Sequence, residues 1–175
     1  PFGLPHFSAG MSSAGLLLGV AQPTGTGGFD RFVGPGPEAG LQWMHYLWDW
    51  IGVGAEFDYF RLGKKRFPFP EKPFADIIGE ASGLSLTGLG RVNLLRERSW
   101  SPFVIGGIGY HRVSLKANVL ANTPGGQICY VELAACAESF TFVSTVTGPT
   151  VTAGAGIEVM LFRGFSLAAE ARWRQ

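Results

Sequence analysis

Charge is scarce in this chain. Of 175 residues only 15% are Asp, Glu, Lys or Arg, against roughly 25% in an ordinary soluble domain. The 14 basic and 13 acidic side chains nearly cancel, leaving a formal charge of +1. That balance lacks the basic surplus of a nucleic-acid binder, so no nucleic-acid partner is expected. No uninterrupted apolar run approaches the ~18 residues of a spanning helix, which excludes a helical membrane protein. Histidine is confined to His6, His45 and His111, and cysteine to Cys129 and Cys136. Without a CxxC pair or a histidine cluster, no metal site is expected. No Walker loop or G-x-S-x-G elbow occurs. Gly107–Gly109 and Gly154–Gly156 have no following helix and read as strand glycines rather than phosphate cradles. Neither an enzyme nor a cofactor is expected.

What the chain has is aromatics (13%), 26 glycines and alternation with period two. Ile51, Val53, Ala55, Phe57 and Tyr59 alternate with Gly52, Gly54, Glu56 and Asp58. Similar runs cover Leu84–Leu94, Val151–Leu161 and Phe165–Trp173. Successive strand side chains point to opposite faces, so each run has one bulky apolar face and one small or polar face. The pattern predicts seven strands, over about residues 7–20, 38–47, 49–62, 80–96, 101–116, 148–162 and 164–175. Several are long enough for the ~9–11 residues that a tilted strand needs to cross a hydrocarbon layer. All seven belong to one domain spanning residues 1–175.

The connections alternate. Long ones are expected at 21–37, 63–79 and 117–147, and short ones near Leu47–Asp49, Glu97–Ser101 and Arg163–Gly164. Tight turns at one end and long loops at the other are the habit of a transmembrane barrel. Aromatics fall at both strand ends. Trp48, Trp50, Trp100, Phe103, Phe162 and Phe165 flank the tight turns, and Phe57, Tyr59, Tyr110 and Trp173 lie at the far ends. Two such rings match the girdles of a barrel in lipid. The expected fold is all-β: an antiparallel up-and-down transmembrane barrel of about eight strands, seven of them readable.

Glycine, serine and threonine on the polar face suit a cramped interior, and the bulky apolar face suits lipid. Lipid cannot solvate ionised groups, so Glu56, Arg91, Glu158, Glu170 and Arg172 must face the lumen. They are expected to form a belt of ion pairs, since an unpaired buried charge is costly. That account is preferred to a catalytic carboxylate pair of Glu56 with Glu158 or Glu170. An eight-stranded lumen is just wide enough to be filled by side chains, so a plugged interior is expected. His111 reads as lumen-facing and His45 as lying on the apolar face. Arg61, Lys64, Lys65 and Arg66 sit just beyond Tyr59 and are candidate contacts for lipopolysaccharide phosphates. The 117–147 loop offers a docking surface for a protein partner, or a self-packed lid. Its Cys129 and Cys136 read either as a short disulfide loop in an oxidising compartment or as two free thiols. The opening at Pro1, without a charged or apolar leader, reads as a processed chain or a fragment.

Three segments, Ser101–Arg112, Thr152–Leu161 and Gly164–Arg174, resemble the small outer-membrane β-barrels of Gram-negative bacteria, the OmpA-like transmembrane domains. The first resembles that family's proline–aromatic strand with alternating glycines, the other two its penultimate hairpin. The resemblance implies a multi-pass location in the outer membrane, with lipid and lipopolysaccharide as surroundings. It also implies an eighth strand, whereas this chain reads as seven. The closing strand would follow Gln175, come from a partner chain beside residues 164–175, or lie unread within 117–147. The expected role is structural: an anchor or docking platform with a filled lumen. The alternatives are a narrow porin-like channel and a soluble lipocalin-like barrel.

Overall fold

A computed structural model of the chain describes residues 8–23, 33–69, 72–95, 99–121, 128–130, 135–137, 139–162 and 165–175. Strands account for nearly all of them: β1 (Ser12–Ala21), β2 (Val33–Gly34), β3 (Gly36–Trp48), β4 (Ile51–Phe69), β5 (Lys72–Asn93), β6 (Trp100–Ala121), β7 (Ile128–Tyr130), β8 (Ala135–Ala137), β9 (Ser139–Phe162) and β10 (Phe165–Arg174). No helix occurs among the described residues. The main sheet has the order β1-β3-β4-β5-β6-β9-β10, every pairing antiparallel, with β2 against the end of β4. This up-and-down sheet curls into a half-barrel: Arg174 on β10 reaches Glu38 on β3, although the two strands share no ladder.

The strands run further than the alternation indicates. Residues 63–69 and 72–79, expected as a loop, extend β4 and β5; residues 117–121 and 139–147 extend β6 and β9. These extensions lack a clean apolar face. They are held by cross-strand ladders continuing past the sided part of the sheet, a non-local effect that periodicity does not report. The first strand starts at Ser12, not near residue 7, because Ser8–Met11 form a tight turn: the Met11 amide donates to the Ser8 carbonyl at 3.1 Å, and Gly10 has φ +80°. A positive φ at that turn position is accessible to glycine at little steric cost. Among its described residues, 117–147 adds no strand to the main sheet; β7 and β8 form a separate hairpin.

Tight connections join β3 to β4, β5 to β6 and β9 to β10 at one end. Counting from that end, β1, β4, β6 and β10 run upward, and β3, β5 and β9 run downward. The two edge strands, β1 and β10, therefore point the same way and cannot pair antiparallel with one another. An antiparallel barrel requires an even strand count.

Small residues let neighbouring strands carry bulk inside. A Cβ on Gly109 would lie 2.7 Å from Thr87 Cα and 2.8 Å from Thr87 Oγ1. Gly148 faces open space. Gly109→Ala should therefore cost about 1–3 kcal/mol through overpacking. Gly148→Ala should stay within about 0.5 kcal/mol. Urea unfolding in detergent micelles, followed by tryptophan emission, separates the two.

Candidate functional site

The burial pattern is inverted relative to a water-soluble barrel. Leu16, Leu18, Leu41, Phe57, Leu86, Ile108, Val151, Ile157 and Leu167 are exposed on the convex face, Leu18 by 86%. Glu56 and Asp58 are each only 1% exposed on the concave face. Ladder register explains the sorting. Glu56, Thr87 and Gly109 are successive cross-strand partners and share the inner face; Phe57, Leu86 and Tyr110 share the outer one.

The interior is layered. Nearest the tight turns, Met44, Tyr46, Leu89, Phe103, Ile105 and Met160 form an apolar cluster, with Met11 packed against it. The inner face is thus not uniformly small, and Phe103 is not part of an aromatic ring at the turns. It lies 1% exposed inside, with the Arg91 guanidinium 3.7 Å above its ring centre. Its position follows from parity: Phe103, Ile105, Gly107 and Gly109 alternate onto one face. Arg91 forms an ion pair with Glu158, and its Nε donates to Asn93 Oδ1 at 2.9 Å. Glu158 also accepts from the Ser166 hydroxyl.

A second ionic layer lies above. Arg172 bridges Glu56 and Glu170. Arg174 donates from Nη1 to Glu38 Oε1 at 2.6 Å, and from Nη2 to Glu56 Oε1 at 3.0 Å and Asp58 Oδ2 at 2.9 Å. Gln42 Nε2 donates to Glu56 Oε2 at 3.1 Å, and the Ser85 hydroxyl to Asp58 Oδ2 at 2.9 Å. The five belt residues thus fall into two groups, Arg91–Glu158 and Glu56–Arg172–Glu170. Sequence reasoning missed Glu38, Asp58 and Arg174, although the alternation places Asp58 with Glu56 and Arg174 with Arg172. In this layer four carboxylates meet two guanidinium groups. A further apolar cluster of Val33, Leu62 and Ala81, with Phe60, Val113 and Leu115 against it, packs nearer the long-connection end.

Among the girdle residues, Trp48, Trp100, Phe165, Tyr59, Tyr110 and Trp173 are exposed. Trp50 is half-buried in its turn, and the Phe162 side chain lies outside the described residues. Trp173 pairs with Ala153 whereas Tyr110 pairs with Pro149, so along β9 Trp173 sits nearer the tight turns. His45 faces outward, its Nδ1 2.8 Å from the Ser12 hydroxyl and its ring stacked on Trp43. His111 pairs with Ser85 on the inner face, and His6 lies outside the described residues.

The basic run lies on strand β4 rather than in a loop. A bulge between Leu62 and Lys65 shifts the register, and bulges re-aim side chains. Arg61, Lys64, Lys65 and Arg66 are all exposed: Arg61 and Lys64 face Glu80, and Arg66 is paired with Asp76. Lys65 instead pairs with Gly79, on the face that carries Ala81. Cys129 and Cys136 are direct cross-strand partners in the β7–β8 hairpin, a register that brings Cα atoms within disulfide range. Their side chains lie outside the described residues. Among the described residues, no group of three or more His, Cys, Asp and Glu could hold a metal ion.

No protein-family model matches the chain, and no curated protein matches it.

Removing one partner of a buried ion pair strands the other. Arg91→Leu should cost about 3–5 kcal/mol, and the double variant Arg91→Leu with Glu158→Leu should recover most of that loss. A double-mutant cycle of urea midpoints in micelles measures the coupling.

Proposed function

We propose that this chain forms the wall of an integral outer-membrane β-barrel with a side-chain-filled interior, acting as a structural anchor and docking platform. One observation carries the reading: the sheet exposes its bulky apolar side chains and buries its carboxylates and guanidinium groups. In water this sorting is unfavourable, because apolar area stays wet while charges are desolvated. In a bilayer it is the favourable sorting. The layered interior, apolar then ionic then apolar, supports a plugged lumen over a diffusion pore.

The same-direction edges call for an eighth strand running downward between β10 and β1. Unpaired backbone groups facing lipid cost several kcal/mol each. The excess of carboxylates beside Arg172 and Arg174 favours a Lys or Arg on that strand's inner face. Docking falls to the upper β6–β9 ribbon. Residues 141–147 of β9 are exposed on both faces, including the apolar Phe142, Val143 and Val146.

Ile108 lies on the outer face of a central strand, one row deeper in the apolar band than Tyr110, and Ile108→Arg should reduce insertion into lipid vesicles by about 2–4 kcal/mol. Gly148→Ala should insert like the parent. Co-flotation with vesicles reads both, and equal flotation of Ile108→Arg would refute the membrane reading. In planar bilayers the parent should give no discrete conductance steps. Steps that widen in Glu56→Gln would favour the channel reading instead.

A further inference from the structure

We propose that the outer face of β4, β5 and β6, just above Tyr59 and Tyr110, is a binding site for the phosphate head group of a membrane lipid. The inference rests on the membrane reading and adds a site and a ligand class to it. Cross-strand register builds the site. Tyr59 pairs with Leu84 and Leu84 with Arg112; Arg61 pairs with Ser82 and Ser82 with Ser114; Glu80 pairs with Lys116. These successive rows lie on the convex face, directly beyond the exposed apolar row of Phe57, Leu86 and Tyr110. The face therefore changes from greasy to cationic within one ladder step, about 7 Å along a strand.

The rows border an open concavity of about 260 Å³, lined by Tyr59, Arg61, Glu80, Ala81, Ser82, Ser114 and Lys116. Arg112 flanks it, and Lys64 is turned toward it by the bulge. Four cations thus face one carboxylate. Glu80 holds Arg61 at 3.7 Å and Lys64 at 3.5 Å, both through the same oxygen. Neither contact has hydrogen-bond geometry, so Glu80 clusters these cations without engaging their N–H groups. Guanidinium and ammonium donors together bind phosphate oxygens strongly. The Ser82 and Ser114 hydroxyls add neutral donors, Ser114 lying 3.1 Å from the Thr145 hydroxyl.

A lipid is favoured over a free anion by what adjoins the site. Tyr59 lines the concavity, and Leu84, Leu86 and Ile108 continue below it, all exposed. A phosphate carried on acyl chains covers both halves, whereas a soluble anion covers only the upper one. The geometry also re-sorts the basic run. Arg61 and Lys64 belong to the site together with Arg112 and Lys116 from β6, while Lys65 faces inward and Arg66 is engaged by Asp76.

The test is isothermal titration of the folded chain in dodecyl maltoside with three probes: short-chain phosphatidic acid, short-chain phosphatidylcholine and inorganic phosphate. Phosphatidic acid should bind more tightly than either of the others. Arg61→Gln, Arg112→Gln and Lys116→Gln should each weaken it about fivefold, as expected for one cation near an anionic surface. Glu80→Gln should tighten it, which a purely structural role for Glu80 would not produce. Circular dichroism checks that each variant keeps its strand content, and Gly148→Ala serves as the unaffected control. Equal affinity for phosphatidic acid and phosphatidylcholine, equal affinity for inorganic phosphate, or indifference to all three neutralisations overturns the proposal. A chain that stays dispersed without detergent defeats the membrane reading instead, and that outcome is visible before any titration.

Discussion

Arg172 and Arg174, on the last strand, span the interior to carboxylates of β3 and β4, and the curvature of the sheet depends on those contacts. No backbone ladder joins β10 to β3 or β4. The side chains alone hold the far edge of the sheet over its near part. Glu38, Glu56 and Asp58 each have a guanidinium partner on a different strand, so flattening the sheet would strand several charges at once. Desolvated charges that lose a partner are far costlier than exposed ones. The ionic layer therefore acts as a set of cross-ties, and the hydrogen-bonded ladders supply the wall that it bends.

The apolar clusters on either side of that layer have a complementary role. Phe103 and Tyr46 fill the space nearest the tight turns, and the Arg91 guanidinium lies over the Phe103 ring, whose face offers electrostatic attraction without requiring water. Neighbouring strands contribute glycines opposite these large groups. A Cβ on Gly156 would meet the Phe103 ring at 2.7 Å, and one on Gly83 would clash with the edge of the Phe60 ring, 2.8 Å from Cε1. The glycines of the inner face are the spaces into which a few large side chains fit.

Much of this architecture is legible from local pattern. The side of the sheet that a residue occupies is fixed by its parity within a strand, so Glu56, Arg91, Glu158 and Arg172 could be placed together from the sequence. Pairing across the interior is different. Whether Arg172 meets Glu56 or Glu158 depends on stagger and curvature, which emerge only when every strand is assembled. The inward position of Phe103 was available from parity, but its nearness to a turn suggested an interfacial role. The bulge after Leu62 has no comparable signal, because one extra residue among Gly63, Lys64 and Lys65 leaves the composition of the strand unchanged. It nevertheless decides which members of the basic run face outward. The full lengths of β4, β5, β6 and β9 are not legible for a related reason: above the sided region the ladders persist beyond the alternation that marks the lower strands.

The parallel heading of β1 and β10 constrains self-association. Copies held side by side with a common orientation all present edges that point away from the tight turns. Two such copies meeting edge to edge could form only parallel ladders, which are slightly weaker per residue than antiparallel ones. Open sheet edges are ordinarily templates for runaway polymerisation. Here the shared polarity of the two rims discourages like from joining like and favours pairing with a strand of opposite heading.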